Sequence, residues 1–217
     1  MTNNTEMIVL HTTKFGEDSV VLHTISEEYG RRSFLIRKVG RKASMSLFMP
    51  LNILEADITE SSRSKLYLAR NITSGHNLTG IRNNIYKNAI SMFISEVLYR
   101  VVKEGSKEPG LYEWLKKDIL LLDALHDDFS NFHIRFLLEL AVVLGFSPDK
   151  SGLEPFAGRY TDSISQFIGA SFEESMLIPL SGALRNELAE TMLRYIEHHT
   201  ESAVRVQSLK VLREFFM

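Results

Sequence analysis

Leu54-Glu55-Ala56-Asp57-Ile58-Thr59 alternates apolar and polar residues without a break, the pattern of an antiparallel strand with one face in a core and the other in water. On either side lie segments of the same kind. Residues 7–15, 19–26, 31–39, 50–60 and 65–74 are short and rich in Val, Ile, Leu and Phe, and turn material separates them: Phe15-Gly16-Glu17-Asp18, Tyr29-Gly30, Ser61-Ser62-Arg63-Ser64 and Ser74-Gly75. Five strands in so short a module must hide their edges, and closing into a small barrel does so economically. The expectation is a five-stranded OB-type barrel, with an SH3-like barrel as the alternative.

From about Ile81 the period becomes helical, with Ile81, Ile85, Phe93, Val97 and Val101 on one stripe. A second helix follows Pro109, placed in the first turn, and carries Leu111, Leu115, Ile119 and Leu122. A third runs from about Ser130 to Leu144 and stops at Gly145, with Pro148 beyond it. Two more fill the end of the chain: Ser181 to about His199, with Leu184, Leu188, Met192 and Ile196 inward, then Ala203 to Phe216. A short one begins at Ser171, whose spacing to Glu174 is that of a capping box. Residues 145–165 hold three of the 12 glycines and two of the five prolines, a loop-rich composition. The expected architecture is therefore α+β in two domains: a barrel over residues 1–80 and an all-α helical domain over 81–217, with a loop-rich insertion at about 145–170.

Charge is distributed unevenly. The 217 residues carry 25 Lys+Arg and 27 Asp+Glu, a formal charge of −2 that by itself suggests no nucleic-acid partner. Residues 1–80, however, hold ten cations against eight acids, while 81–217 hold 15 against 19. Between residues 29 and 54 stand Arg31, Arg32, Arg37, Lys38, Arg41 and Lys42 and no acid, interleaved with Tyr29, Phe34 and Phe48. Arg63, Lys65 and Arg70 follow on the last strand pair. Cations along a strand and loop beside aromatic rings can track a phosphate backbone while bases stack. Taken alone, the run reads equally well as a solvated basic loop.

Other chemistry finds little support. The absence of cysteine excludes disulfides, thiolate zinc sites, iron–sulfur clusters and cysteine nucleophiles, and fits a reducing cytosol. The start, MTNNTEMIVL, has no basic stretch ahead of an apolar one, and the apolar run Leu140–Leu144 is too short to span a bilayer, so a soluble protein without a membrane partner is expected. His11, His23 and His76 fall on strands and a loop with no HxH, HExxH or DxD spacing; His198-His199 ends a helix, where successive side chains diverge. No GxxxxGK[ST], GxGxxG or GxSxG occurs, so no enzyme, no catalytic residue, no metal site and no cofactor is expected.

The chain resembles the RecO family of bacterial recombination mediators. Five stretches carry the likeness: Ile8-Val9-Leu10 leading to Phe15-Gly16-Glu17; Thr24 to Gly30-Arg31; Ile36-Arg37-Lys38-Val39-Gly40-Arg41-Lys42-Ala43-Ser44, similar to the family's basic run; Arg135-Phe136 through Leu144-Gly145-Phe146; and Gln207-Ser208-Leu209-Lys210-Val211-Leu212, similar to its terminal helix. The resemblance implies an OB-fold that binds single- and double-stranded DNA, joined to a helical domain. It implies strand annealing, action with RecR, recognition of the acidic C-terminal tail of single-stranded-DNA-binding protein, and help in loading RecA in the bacterial cytoplasm at the nucleoid. By this match Arg37, Lys38, Arg41 and Lys42 are DNA-binding cations, and Arg135 and Phe136 lie at the tail-binding pocket. Two departures stand out. Many members carry a four-cysteine zinc module where residues 147–170 contain no cysteine, and the glycine of the basic run is displaced, with Lys38-Val39-Gly40 in its place. The leading expectation is a non-enzymatic DNA-binding mediator. A protein–protein adaptor acting through the helical domain is the alternative, and a hydrolase with an unrecognised carboxylate site is the third.

Overall fold

The computed structural model describes residues 2–37, 43–60 and 67–216. Strands β1 (Thr2–Lys14), β2 (Ser19–Ser26), β3 (Gly30–Arg37), β4 (Ile53–Thr59) and β5 (Tyr67–Ser74) close a barrel in the order β1-β2-β3-β5-β4. All pairings are antiparallel except β3 with β5, where Phe34 faces Tyr67 and Leu35 faces Leu68. This is the OB-fold expected from the strand pattern.

Closure depends on β1. Its first half pairs with β4, from Thr2 opposite Thr59 to Ile8 opposite Ile53, and its second half pairs with β2, with a register shift between Val9 and His11. A bulge there bends the strand so that one element serves both neighbours. The interior is filled by Met7 and Val9 of β1, Val20 and Leu22 of β2, Phe34 and Ile36 of β3, Leu54, Ala56 and Ile58 of β4, and Ala69 of β5, with Phe48 added from the connection between β3 and β4. The opening hexapeptide thus sits as its alternation requires, with Glu55 exposed and Asp57 and Thr59 half-buried.

The strand bounds differ from expectation at two places. β1 starts at Thr2, because Thr2, Asn3 and Asn4 pair with β4 although they are exposed and show no apolar alternation. β4 starts at Ile53, because Leu51, with φ 61°, turns the chain just before it. Helix α1 (Ala43–Leu47) went unseen, being too short to display a period.

By contact the chain divides into two compact units, one of Met1–Thr79 with Val102–Leu120 and the other of Gly80–Val101 with Leu121–Met217. The barrel unit is therefore larger than residues 1–80. The added segment seals part of β3: the Arg31 N–H donates to the Ser106 carbonyl at 2.9 Å, and the Gly105 N–H donates to the Arg31 carbonyl at 2.8 Å. The first residues of helix α4 (Leu111–Ala124) also bind β1, where Tyr112 donates its hydroxyl proton to Glu6 and Lys116 pairs with the same carboxylate at 2.5 Å. Pro109 lies two residues ahead of that helix and outside its first turn.

The second unit holds α2 (Thr79–Arg82, from Gly80), α3 (Ile85–Val101), α5 (Phe132–Val143), α6 (Lys150–Ala157), α7 (Thr161–Gly169), α8 (Phe172–Leu177), α9 (Gly182–Thr200) and α10 (Ser208–Phe215). Helix α5 is central, burying Phe132, Ile134, Phe136, Leu137, Leu138, Leu140 and Ala141 and packing on α3, α8 and α9. Ser171 and Glu174 form the expected capping box on α8. Three expectations are corrected. Ile85 is 59% exposed and not on the inward stripe. The last helix starts at Ser208 and not Ala203, because the Glu96 carboxylate accepts the N–H groups of Gln207 and Ser208, at 3.0 and 2.8 Å, and fixes its first turn. Residues 145–170 are mainly helical: Asp149 caps α6, and Leu153, Ala157, Ile164 and Phe167 are buried at helical spacing on α6 and α7.

Gly30 opens β3 with φ 59°, and a Cβ built there would lie 2.1 Å from the Ser106 carbonyl oxygen. Gly30→Ala therefore loses about 1–3 kcal/mol of stability or more, from backbone strain and from opening the β3 seal. Urea denaturation of the two proteins measures this; equal midpoints would mean that Ser106 moves away freely.

Candidate nucleic-acid interface

Strand parity divides the cations of the barrel. Residues 34 and 36 of β3 point inward, so Arg31, Ser33, Leu35 and Arg37 belong to the outer face; Ala69 of β5 points inward, so Leu68 and Arg70 point outward with them. Leu35 and Leu68 are register partners on neighbouring parallel strands. Arg37 and Arg70 each stand two residues beyond that pair on the outer side of their strands, and both are exposed. Ser19 of β2 faces Arg37 on one side, and Asp57 of β4 faces Arg70 on the other. The Asp57 carboxylate accepts from Asn71 at 2.7 Å and Asn4 at 3.3 Å, and these bonds hold its pKa below the usual carboxylate range.

The remaining candidates divide into three groups. Lys38, Arg41, Lys42, Arg63 and Lys65 lie outside the described residues. Arg32 is half-buried, with its guanidinium carbon 5.0 Å from the centre of the Tyr67 ring, which packs edge-on to Tyr29 at 5.8 Å. Arg31 is 4% exposed and forms an ion pair with Glu104. Its charge is balanced inside the unit by that carboxylate.

Beside Arg31 the outer face carries a polar set that sequence spacing did not single out. His23 of β2 bonds through Nδ1 to the Ser33 hydroxyl at 2.7 Å and through Nε2 to the Thr13 hydroxyl at 3.0 Å, and it stacks on His11 with ring centres 5.8 Å apart. Burial, then the positive charges of Arg31 and His11, pushes the His23 pKa down to about 4, with Glu104 opposing. The ring is neutral at neutral pH. Only the cross-strand register, His11 opposite His23 opposite Ser33, brings these residues together.

The two residues expected at a partner-tail pocket both lie on α5. Phe136 is 1% exposed within the core of the helical unit. Arg135 donates from Nε to Glu139 at 2.5 Å and from its guanidinium to the carbonyls of Phe167 and Ala170, at 3.0 and 2.9 Å, closing the last turn of α7. Its neighbour His133 is fully buried, and burial, followed by the charge of Arg185, pushes its pKa down to about 3.

Among the described residues no cluster of His, Asp or Glu could hold a metal ion, and no helix is long and apolar enough to cross a membrane. The barrel topology and the order of helices agree with two family models, Recombination protein O N terminal over residues 1–74 and Recombination protein O C terminal over residues 82–152. Together these span about two thirds of the chain. The chain belongs to the recombination protein O family. Members similar along their full lengths are the DNA repair protein RecO of Flavobacterium johnsoniae, 28% identical with 98% of each chain covered, and that of Phocaeicola vulgatus, 28% identical with 100% of each covered. That of Porphyromonas gingivalis is 24% identical over 88% of this chain and 90% of its own. As a RecO-family DNA repair protein, the chain has its OB-fold and its helical unit in the family's order. The zinc module of other members does not fit here, since residues 147–170 offer no cysteine and fold on apolar side chains.

Two expectations follow. Arg135→Ala unties the end of α7 and costs the helical unit about 1–2 kcal/mol, read from chemical denaturation; an unchanged midpoint would show that these bonds add nothing to the fold. The folded pKa values of His23 and His133 lie below the unfolded value near 6.5, so the unfolded chain takes up protons first. Stability is then full above about pH 6.5 and falls as pH drops toward about 4. His23→Gln flattens part of that fall, measurable as unfolding free energy against pH; an identical slope would show that His23 has the same pKa folded and unfolded.

Proposed function

We propose that the protein is a non-enzymatic recombination mediator that binds single- and double-stranded DNA on the outer face of its barrel and anneals complementary strands. The observation carrying this reading is the exposure of Arg37 and Arg70 on the outer side of β3 and β5, with the run Lys38-Val39-Gly40-Arg41-Lys42 continuing from the end of β3. A phosphate backbone supplies regularly spaced charge, and displacement of its counterions supplies the free energy. Neutralising two strands together lets them approach and pair, which needs no chemical step and no cofactor.

Tyr67 faces Phe34, three residues before Arg37, so the segments 38–42 and 61–66 are tethered to adjacent strands about 10 Å apart along the sheet. We propose that Arg63 and Lys65 act with Lys38, Arg41 and Lys42 on DNA. Family membership supports the wider reading: action with RecR, recognition of the acidic tail of single-stranded-DNA-binding protein, loading of RecA, and a place at the nucleoid in the bacterial cytoplasm. By the family resemblance, tail recognition is proposed at Arg135 and Phe136 of the helical unit.

Four phosphate contacts, from Arg37, Lys38, Arg41 and Lys42, give a slope of log affinity against log salt of about −3 on single strands. That amounts to roughly a 60-fold loss between 50 and 200 mM salt. Oligonucleotide anisotropy across salt measures it, and replacing those four residues with Ala lowers the slope by about that amount. No binding at low salt, or binding indifferent to the fourfold replacement, would leave the adaptor reading in its place.

A further inference from the structure

Two neighbouring arginines near the start of β3 are treated differently by the fold. Arg31 is paired with Glu104, whereas the Arg32 guanidinium has no ion pair or hydrogen bond among the described residues, and its Nε is buried without a partner. What Arg32 meets is an aromatic group. Its guanidinium carbon lies 5.0 Å from the centre of the Tyr67 ring, and Tyr29 stands edge-to-face against both Tyr67 and Phe34, at 5.8 and 5.7 Å. Phe34 is fully buried in the barrel, while Tyr29, Arg32 and Tyr67 are half-buried, so the cluster carries ring surface from the core out to water. Neither tyrosine hydroxyl has a hydrogen-bond partner among the described residues. Of the two acids in the turn before β3, Glu27 is exposed and the Glu28 carboxylate accepts from the Thr5 hydroxyl at 2.6 Å, and neither is paired with Arg32. Donors held out of water without an acceptor cost stability, and a ligand that supplies the acceptor recovers it.

We infer that Tyr29, Arg32 and Tyr67 form a site for one unpaired nucleotide of single-stranded DNA, its base stacked against the tyrosine pair and its phosphate on the Arg32 guanidinium; the inference rests on the DNA-binding reading above and adds a strand preference to it. The three side chains are one site by their contacts, each touching the next within a single unit. Their chemistry matches the parts of a nucleotide. A guanidinium is planar and offers N–H groups in a fork that fits two phosphate oxygens, and Arg32 has no carboxylate competing for them. Aromatic rings stack on any base, because every base has a π-face, and the unbonded hydroxyls of Tyr29 and Tyr67 can donate to or accept from a base edge. The site is also distinct from the phosphate track. Arg32 alternates with Phe34 and Ile36, opposite in parity to Arg37, and Tyr29 and Tyr67 stand where β3 and β5 begin, at the other end of β3 from Arg37. A base already paired in duplex DNA has both faces stacked and its edge engaged, so it cannot use the rings. The cluster therefore adds affinity for single strands only, whereas the cations of the outer face serve both forms.

The test uses the full chain, a mixed-sequence single-stranded oligonucleotide carrying 5-iododeoxyuridine in place of thymidine, and the matched duplex, at one fixed salt concentration. Irradiation of the wild-type complex cross-links the iodinated base to Tyr29 or Tyr67, located by peptide mass spectrometry. Tyr67→Leu keeps an apolar side chain beside Phe34; it weakens single-strand binding about tenfold, as loss of one base–aromatic stack does, and leaves duplex affinity within about twofold. Tyr67→Phe, which keeps the ring, restores most of the single-strand affinity. Arg32→Lys keeps the charge but not the fork, and single-strand affinity falls several-fold while duplex affinity holds. An unchanged single-strand affinity in Tyr67→Leu, an equal loss on both DNA forms, or cross-links that spare both tyrosines overturns the inference, while the DNA-binding reading survives in the response to the fourfold cation replacement. If Tyr67→Leu does not fold, the wild-type cross-link decides alone. Failure of the wild-type chain to bind either DNA overturns both.

Discussion

Strand β1 is hydrogen-bonded along both edges, to β4 through its first half and to β2 through its second, and the barrel exists because one strand can do both. A straight strand of 13 residues could not follow two neighbours whose directions diverge around a cylinder. The shift between Val9 and His11 supplies the bend, and it keeps Met7 and Val9 inward before it and Thr12 inward after it, opposite Leu22. Everything on the outer face inherits this choice. His11 and Thr13 reach His23 because the register past the bulge puts them outward, and the turn carrying Phe15 projects at the end of the bent half.

What could be read from the sequence divides along the same physical line. Strands with a buried and a wet face declare themselves, as Leu54-Glu55-Ala56-Asp57-Ile58-Thr59 does, and so do long helices with apolar stripes such as α4 and α9. Capping chemistry is local and was also legible, as Ser171 with Glu174 shows. What stayed hidden depends on partners far along the chain. Thr2-Asn3-Asn4 is polar and becomes strand only because β4 lies beside it. The start of α10 is set by Glu96, more than a hundred residues earlier. The assignment of Val102–Leu120 to the barrel unit follows from the bonds of Arg31, Glu6 and Tyr112, which no local pattern reveals.

The same distinction governs the charges. Counting arginines in a run treats them as equivalent, but strand parity and burial separate them. Arg31 and Arg37 share a face, yet one is sealed under Ser106 beside Glu104 and the other stands in water. A guanidinium taken out of water must be met by a carboxylate or several carbonyls, and each donor so used is one fewer for a ligand. Arg135 shows the same in the helical unit, where the carbonyls of Phe167 and Ala170 and the Glu139 carboxylate accept from it. A basic cluster in a sequence therefore sets an upper limit on a binding surface, and the residues that form the surface are those whose charge the fold leaves uncompensated.

Residues 147–170 are held together without thiolate ligands. A zinc ion bound by four thiolates orders a segment from within, through bonds that need no surrounding core. Without cysteine the segment is ordered by a local cap and by its neighbours: Asp149 accepts the Gly152 N–H at 2.7 Å to start α6, and α6 lies against α9 with Leu153 and Ala157 buried. Phe156 meets Tyr195 edge-on at 5.5 Å, and Phe146 stacks on His199 at 5.1 Å. Arg135 then holds the far end of α7. Such a segment is only as stable as the helices it leans on, so its folding is coupled to that of α5 and α9, where a zinc-bound module would be free to fold by itself.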